Sequence, residues 1–404
     1  MPGPLTGIKV FDMTVAGVGP WAASLMGGLG ADVIKCEHDK SDVIHNVPPP
    51  QRGIGGVYSS CNLNKRGVDL DLKDPAQREA AYEIIRHMDV FVENLRVGTA
   101  DRLGFGYEKL SQINPNLLYA SSTAWGRGGP MGTLTGSDGP VQAFSAFASL
   151  NGTPGGKWEM NRYFGHVDLN TSMYFLLAIL QGLIQRAKTG KGLRVDSSML
   201  GAAVGAQTSR IAEYFATGVS PKPMGSATAT TVPHQAFLCQ DKQYLAVGVV
   251  RDAQWPALCQ ALQAGDLLND TTLATNAGRV QHRRRIVSAL EKIFLTRPIR
   301  WWELHLTRAG VPNGRFLDIP QALTHTHFKE SGALVPITTS WQGTLTLGGL
   351  PWQFSKTLVA HTPAPYPGEH TEEALRQYGM DPRTVLAALP AAPVAVPAQA
   401  GKPS

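Results

Sequence analysis

The sequence predicts an α/β protein with a doubly wound, Rossmann-like large domain and a smaller α+β domain. Three observations carry that expectation. Strand-like and helix-like hydrophobic patterns alternate from Ile8 to Ser122, the rhythm that a parallel sheet covered by helices imposes. The character changes near residue 220, where Gly218-Val-Ser-Pro-Lys-Pro-Met-Gly225 and the small polar run Ser226–Thr231 read as an exposed connection. Finally, 404 residues at 43% apolar content can bury a large core, and the length suits two or three domains.

In chain order, Ile8–Met13 reads as a strand, Trp21–Leu29 as a helix stopped by Gly30, and Ala31–Glu37 as a second strand. Gly67–Leu72, Asp89–Asn94 and Leu117–Ser122 supply further strands, with a helix from Pro75 to Met88 begun near its proline. An unusually apolar helical run follows from Met173 to Ile184 and leads to Thr189-Gly190-Lys191-Gly192. These elements form the large domain over 1–220. In the smaller domain, 221–330, Gln235–Cys239 and Tyr244–Val250 read as a hairpin, and Gln254–Leu262 and Arg283–Leu295 as helices. Strand character returns at Pro336–Trp341 and Thr344–Leu347, and a last helix covers Thr371–Tyr378. The Ala/Pro repetition of 390–404 has no core to join and reads as a disordered tail.

Composition narrows the function. The apolar run is about a dozen residues against the roughly 20 that span a bilayer, and Met1–Ile8 has neither a basic nor a hydrophobic leader region. A soluble, cytoplasmic protein without membrane attachment is expected. Cys36, Cys61, Cys239 and Cys259 are scattered, without Cys-x-x-Cys or metal-like His spacing, so they read as packed thiols, with neither disulfides nor metal. The net charge of +6 suits a small polyanionic ligand, while its dispersion along the chain argues against nucleic acid.

One carboxylate stands out. Asp168 opens the apolar helix, where the helix dipole favours a carboxylate's ionised form and where it could act as a nucleophile in acyl transfer. Aspartate is equally a common N-cap, and spacing alone does not choose between the two. Gly17-Val-Gly19-Pro-Trp-Ala22, with Glu37 ending the next strand, formally meets the dinucleotide fingerprint. Short glycine patterns recur in many strand-to-helix turns, so a nicotinamide site is only weakly nominated. Asn62–Gly67 and Glu93–Tyr107 flank strand ends, where such sheets bind ligands and where basic side chains can pair with phosphates or simply decorate a turn.

Several strings together carry a family resemblance: Leu29–Glu37, Leu63–Arg66, Val68–Lys73, Val92–Gly98, Arg102–Phe105, Asn114–Tyr119, Lys188–Gly192 and Pro367–Leu375. In this order, from about residue 5 to about 385, the chain closely resembles the family III CoA-transferases, the CaiB/BaiF group. The resemblance implies that Asp168 is the nucleophile, passing through an acyl-aspartyl anhydride and an aspartyl-CoA thioester while CoA moves from an acyl-CoA to a carboxylic acid. It implies CoA contacts at Lys65, Arg66, Asn94, Leu95, Arg102 and Leu103, and possible support of the nucleophile by Asp138, which also reads as a turn residue beside Gly139-Pro140. No cofactor is implied, the CoA thioester being a substrate. Also implied are a large domain built from both chain ends, to which 331–389 returns, and an interlocked homodimer.

The chain departs from the family at two places. Gly17 stands where some members carry a Gln, and Ser226–Thr231 replaces a glycine-rich loop. Trp125, Trp158 and Tyr163 each suit either a pocket wall or ordinary packing. The α-methylacyl-CoA racemases share the fold and are the alternative. Proton transfer at the α-carbon needs an acid/base pair, and the racemases carry a His just before the acidic residue that matches Asp138. Here that position is Ser137. His166 is assigned no role.

Overall fold

The computed structural model describes residues 2–39, 42–47, 55–161, 165–339, 341, 343–357 and 361–387; Tyr163 and the tail expected over 390–404 lie outside the described residues. Two compact units emerge, one from Met1–Ser145, Arg162–Thr208 and Ala333–Ser404, the other from Ala146–Asn161 and Ser209–Gly332.

The larger unit is built on strands β1 (Lys9–Asp12), β2 (Asp32–Glu37), β3 (Arg66–Asp69), β4 (Val90–Glu93), β5 (Leu118–Thr123) and β6 (Leu193–Ser198). They pair in parallel in the order β3-β2-β1-β4-β5-β6, the doubly wound arrangement expected. Its helices are α1 (Val18–Gly28), α2 (Gly56–Cys61), α3 (Pro75–Arg86), α4 (Thr99–Leu103), α5 (Tyr107–Ile113), α6 (Asp138–Phe144), α7 (His166–Thr189) and α8 (Met199–Ala206). Because successive side chains of a strand point to opposite faces, the apolar runs feed two cores at once. Val10, Val90, Val92, Leu118 and Ala120 pack with Ala22 and Met26 of α1 and Phe175 and Ile179 of α7. Phe11, Phe91 and Tyr119 pack instead with Ile84 and Ile85 of α3.

Strand β6 is absent from the sequence expectation. Its Leu-Arg-Val-Asp alternation is short and half-exposed at a sheet edge, a weak pattern beside the apolar helix preceding it. Helix α7, in turn, is twice as long as the apolar run suggested, 24 residues closed by Gly190 at φ +67°. One face is pressed onto the sheet, and a Cβ at Gly182 would meet Leu118 Cδ1 at 2.8 Å. The other leaves Tyr174, Leu177 and Ile184 exposed, so the helix is apolar all round without being buried all round. By length and composition alone it could cross a bilayer, contrary to the dozen-residue expectation.

From Ala333 onward the chain lies in this unit, with an antiparallel hairpin of β10 (Leu334–Thr339) and β11 (Gly343–Gly348). The helix Thr371–Gln377 docks beside β3, where Asp69 N donates to Thr371 Oγ1 at 2.9 Å. In the smaller unit, β7 (His234–Leu238), β8 (Tyr244–Gly248) and β9 (Asn313–Arg315) form an antiparallel sheet. Phe237, Trp255, Phe294 and Trp302 anchor its core.

Candidate active site

The order of the sheet reverses between β1 and β4, and the crevice outside the carboxyl ends of those strands is where a doubly wound sheet places its ligand. Here the β1–α1 turn and the segment after β4 meet. Asn94 binds both polar groups of the Val15 backbone: Val15 N donates to its Oδ1, and its Nδ2 donates to Val15 O, each at 2.8 Å.

Asp168 lies in the first turn of α7 but does not cap it. The N-cap position is Gly165, which has no capping side chain. Asp138, the first residue of α6, supplies the cap: its Oδ2 accepts from Val167 N at 2.8 Å and from Asp168 N at 3.2 Å. Gln142 Nε2 donates to its other oxygen, and the residue is buried. The tertiary fold thus turns an apparent surface-turn aspartate into the cap of a remote helix, satisfying two N–H groups that otherwise lack intrahelical partners.

Asp138's service leaves the Asp168 side chain free to face elsewhere. Among the described residues nothing donates a hydrogen bond to its carboxylate. Two glycines border it. A Cβ built on Gly17, the N-cap position of α1, would lie 3.5 Å from Asp168 Oδ2, and one on Gly165 only 2.5 Å away. A side chain at Gly165 would therefore collide with the carboxylate, which explains the glycine better than any demand for positive φ. Beside the pair, Val18, Trp125, Val141 and Val167 form an apolar cluster. Burial, with the nearby charge of Asp138 adding to it, pushes the Asp168 carboxyl up to about 6. A half-buried carboxylate beside a second carboxylate is costly to ionise, and once ionised it is poorly solvated and reactive.

Among the residues expected to contact CoA, Asn94 and Leu95 line a cavity of about 210 Å³ that also includes Arg96, Thr123, Trp125 and Gly136. Trp125 is therefore a pocket wall, whereas Trp158 is exposed in the smaller unit. Arg102 is exposed on α4, its Nη2 donating to Thr99 Oγ1 at 2.9 Å, and Leu103 packs against the core on the α3 side of the sheet. Lys65 and Arg66 are already engaged within the protein. The Lys65 ammonium is buried on Asp12 Oδ2 at 2.7 Å and Asn62 Oδ1 at 2.8 Å, and burial pulls it down to about 8 despite Asp12. Arg66 pairs with Asp32 and Glu373. Both residues line a separate cavity of about 290 Å³ with Trp341, Pro363 and His370.

The dinucleotide fingerprint dissolves in the structure. Glu37, the residue that would hold a ribose, is buried and accepts from Tyr58 OH at 2.9 Å, with His45 Nε2 at 2.8 Å from its other oxygen. Burial works to raise its pKa, but the His45 hydrogen bond and the Lys35 charge outweigh it and hold the carboxyl below its ordinary value. Gly19 serves packing, since a Cβ there would lie 2.3 Å from Thr14 Cγ2.

Sequence reasoning also missed a buried polar layer under the β1–α1 turn, formed by Asp12, Lys35 and Asp42. Lys35 Nζ donates to Thr14 O at 2.9 Å and to Asp42 Oδ2 at 3.2 Å. A lysine within an otherwise apolar buried strand, Val33-Ile-Lys-Cys36, was the available signal, because such a charge must find partners.

Comparisons with known proteins identify the family of the chain and a matching fold. The family model for CoA-transferase family III matches residues 5–371. Succinyl-CoA:glutarate CoA-transferase of Mus musculus is 30% identical over 377 residues, covering 93% of this chain and 86% of the relative. Acetyl-CoA:oxalate CoA-transferase of Acetobacter aceti is 33% identical over 321 residues, 79% of this chain and 82% of that protein. The crystal structure of a CaiB/BaiF family protein from Brucella suis superposes with a TM-score of 0.84 at 29% identity, covering 94% of this chain and 100% of that one. A shared parallel six-stranded fold and a match over most of the chain lead to one conclusion: this protein belongs to CoA-transferase family III.

Proposed function

We propose that the enzyme transfers CoA from an acyl-CoA thioester to a carboxylic acid with Asp168 as the covalent nucleophile. The carrying observation is the Asp168 carboxylate itself, bordered by two glycines, without hydrogen-bond donors among the described residues and beside a buried Asp138. An ionised carboxylate needs no general base. It attacks the donor's thioester carbonyl, forming an acyl-aspartyl anhydride and expelling CoA thiolate. The thiolate attacks the aspartyl carbonyl, breaks the anhydride and releases the donor acid as its carboxylate. The incoming carboxylate then attacks the aspartyl-CoA thioester, giving a new anhydride and thiolate, and the thiolate takes the new acyl group and frees Asp168. Each bond formed is matched by one broken, so no ATP, metal or cofactor enters.

In this reading Asp138 holds the first turn of α7, Leu95, Arg102 and Leu103 lie along the CoA path after β4, and Asn94 holds the β1–α1 turn beside that path. Lys65 and Arg66 shape that side of the sheet through their ion pairs. The apolar cluster of Val18, Trp125, Val141 and Val167 helps keep water from the reactive intermediates. The enzyme is soluble, cytoplasmic and dimeric in this proposal, with chains interlocked as in the family. The exposed Tyr174, Leu177 and Ile184 of α7 support self-association, because a patch of this kind calls for cover.

Incubation with succinyl-CoA or acetyl-CoA, quenching with hydroxylamine and peptide mass analysis is expected to find the modification at Asp168; a turnover-competent enzyme modified only elsewhere would end the proposal. Glutarate and oxalate, named in the relatives, head the panel of acceptor acids.

The acid limb of the rate should follow Asp168. Only the ionised form attacks, so with a carboxyl pushed up to about 6 the rate of covalent loading is expected to rise about tenfold per pH unit below 6 and level off above 7. Single-turnover loading measured from pH 4.5 to 8, under conditions where the protein stays folded, reads this directly. A loading rate flat from pH 5 to 8 would contradict the assignment.

A further inference from the structure

The β1–α1 turn that borders Asp168 is held by four side chains: Asp12 at the end of β1, Lys35 of β2, Asp42 after β2 and Asn94 after β4. Thr14 N donates to Asp12 Oδ1 at 2.8 Å, and Thr14 O accepts from Lys35 Nζ at 2.9 Å. Val15 N and O are both taken by the Asn94 amide at 2.8 Å. Ala16 N donates to Asp42 Oδ1 at 2.9 Å, and Ala16 sits at φ +62°, a left-handed conformation that a non-glycine residue keeps only when its surroundings impose it. The next residue is Gly17, whose added Cβ would touch the Asp168 carboxylate. The whole polar surface of the turn from Thr14 N to Ala16 N, apart from Ala16's own carbonyl end, is thereby engaged up to the reacting group.

Asn94 is the critical member of this clamp. It follows β4, so it ties together the two strand ends between which the sheet order reverses, and it does so as a neutral group with both amide atoms in use. It also lines the 210 Å³ cavity beside Trp125. A side chain whose amide oxygen and amide nitrogen are both bonded to Val15 acts on the reaction through the turn.

We infer that Asn94 is a positioning residue of the acyl-transfer site, which, with Asp42 and Lys35, fixes the Val15–Gly17 backbone against Asp168. The inference rests on the reading of Asp168 as the reacting carboxylate. Loosening the turn lets the Gly17 backbone move relative to Asp168, so it should slow the covalent step more than it weakens binding of CoA.

The test compares Asn94→Ala with the unmodified enzyme in steady state and in single-turnover loading of CoA onto Asp168. The expected result is a fall of about 10- to 100-fold in kcat, and equally in loading rate, with KM for acyl-CoA changed less than about threefold. A raised KM with kcat retained would make Asn94 a substrate contact and overturn the inference; unchanged values of both would overturn it too. If Asn94→Ala does not fold, Asn94→Asp keeps the acceptor for Val15 N but replaces the donor to Val15 O with a charged oxygen, and an unaltered loading rate in that variant counts equally against the inference. The unmodified enzyme controls the premise. No adduct at Asp168 in it sinks the reading of the site, and the inference with it, whereas a normal adduct and an unaffected variant sink the inference alone.

Discussion

Asp168→Asn is expected to abolish CoA transfer, lowering kcat by at least about 10⁴-fold, as removal of a covalent nucleophile does. The amide keeps the shape of the side chain but cannot attack a thioester or carry CoA as a leaving group. Acyl-CoA binding should survive, since the cavity formed by Leu95, Arg96 and Trp125 is untouched. The same variant is expected to be more stable at neutral pH. In the native state burial pushes the Asp168 carboxyl from its ordinary 3.8 up to about 6. Between those values the unfolded chain ionises first, so rising pH drains stability through this window, and the full penalty stands above about 6. Asparagine escapes it. Two pH units would be worth about 2.7 kcal/mol, and allowing for the partial exposure of the group leaves about 1–2 kcal/mol. Urea unfolding at pH 7.5 and pH 4 separates the cases: the advantage of Asn should be present at the first and nearly absent at the second. An active Asn variant would remove Asp168 from the mechanism, and an equally large stability gain at both pH values would remove burial of its charge as the cause.

Asp138 should show the second largest effect, through a different route. Asp138→Ala strips the cap from Val167 N and Asp168 N and removes the acceptor of one Gln142 Nε2 hydrogen bond. Unsatisfied buried groups of this kind cost about 1–3 kcal/mol each, so a loss of about 2–4 kcal/mol in urea unfolding is expected, with a strong fall in kcat as the first turn of α7 loosens. Asp138→Asn discriminates charge from geometry. Its carbonyl oxygen can still accept from Val167 N, while the negative charge that helps raise Asp168 is gone. Its loading rate should therefore keep more activity than the Ala variant and begin its decline at lower pH than the unmodified enzyme. An acid limb that stays in place would show that Asp138 does not act on Asp168 electrostatically.

Five of the six parallel strands were legible because each is a short apolar run bounded by turn residues, and Pro75, Gly30 and Gly190 punctuate the helices where backbone chemistry demands. The family resemblance was legible for a similar reason, since its strings cluster at strand ends and glycine turns. Edge strand β6 and the full length of α7 were not, because polar residues of an exposed edge and of a helix's end turns carry little hydrophobic signal. At the site, Asp168 was legible as the carboxylate that opens the apolar helix, and Asp138 only through the family resemblance. Which of them caps α7 could not be read, because the capping carboxylate comes from 29 residues away on another helix. Lys65 and Asn94 mark the same boundary: their residue types suggest ligands, and their partners Asp12 and Val15 lie 53 and 79 residues distant.

Hydrophobic periodicity and turn chemistry are local, so the chain alone dictated an α/β sheet, its approximate elements and a short list of reactive carboxylates. Protonation, by contrast, depends on burial and on charges brought near by folding. Only the packed structure decided that Asp168 has no hydrogen-bond donor among the described residues, that Asp138 takes the helix terminus in its place, and that the lysine and asparagine nearby serve the protein's own backbone and carboxylates.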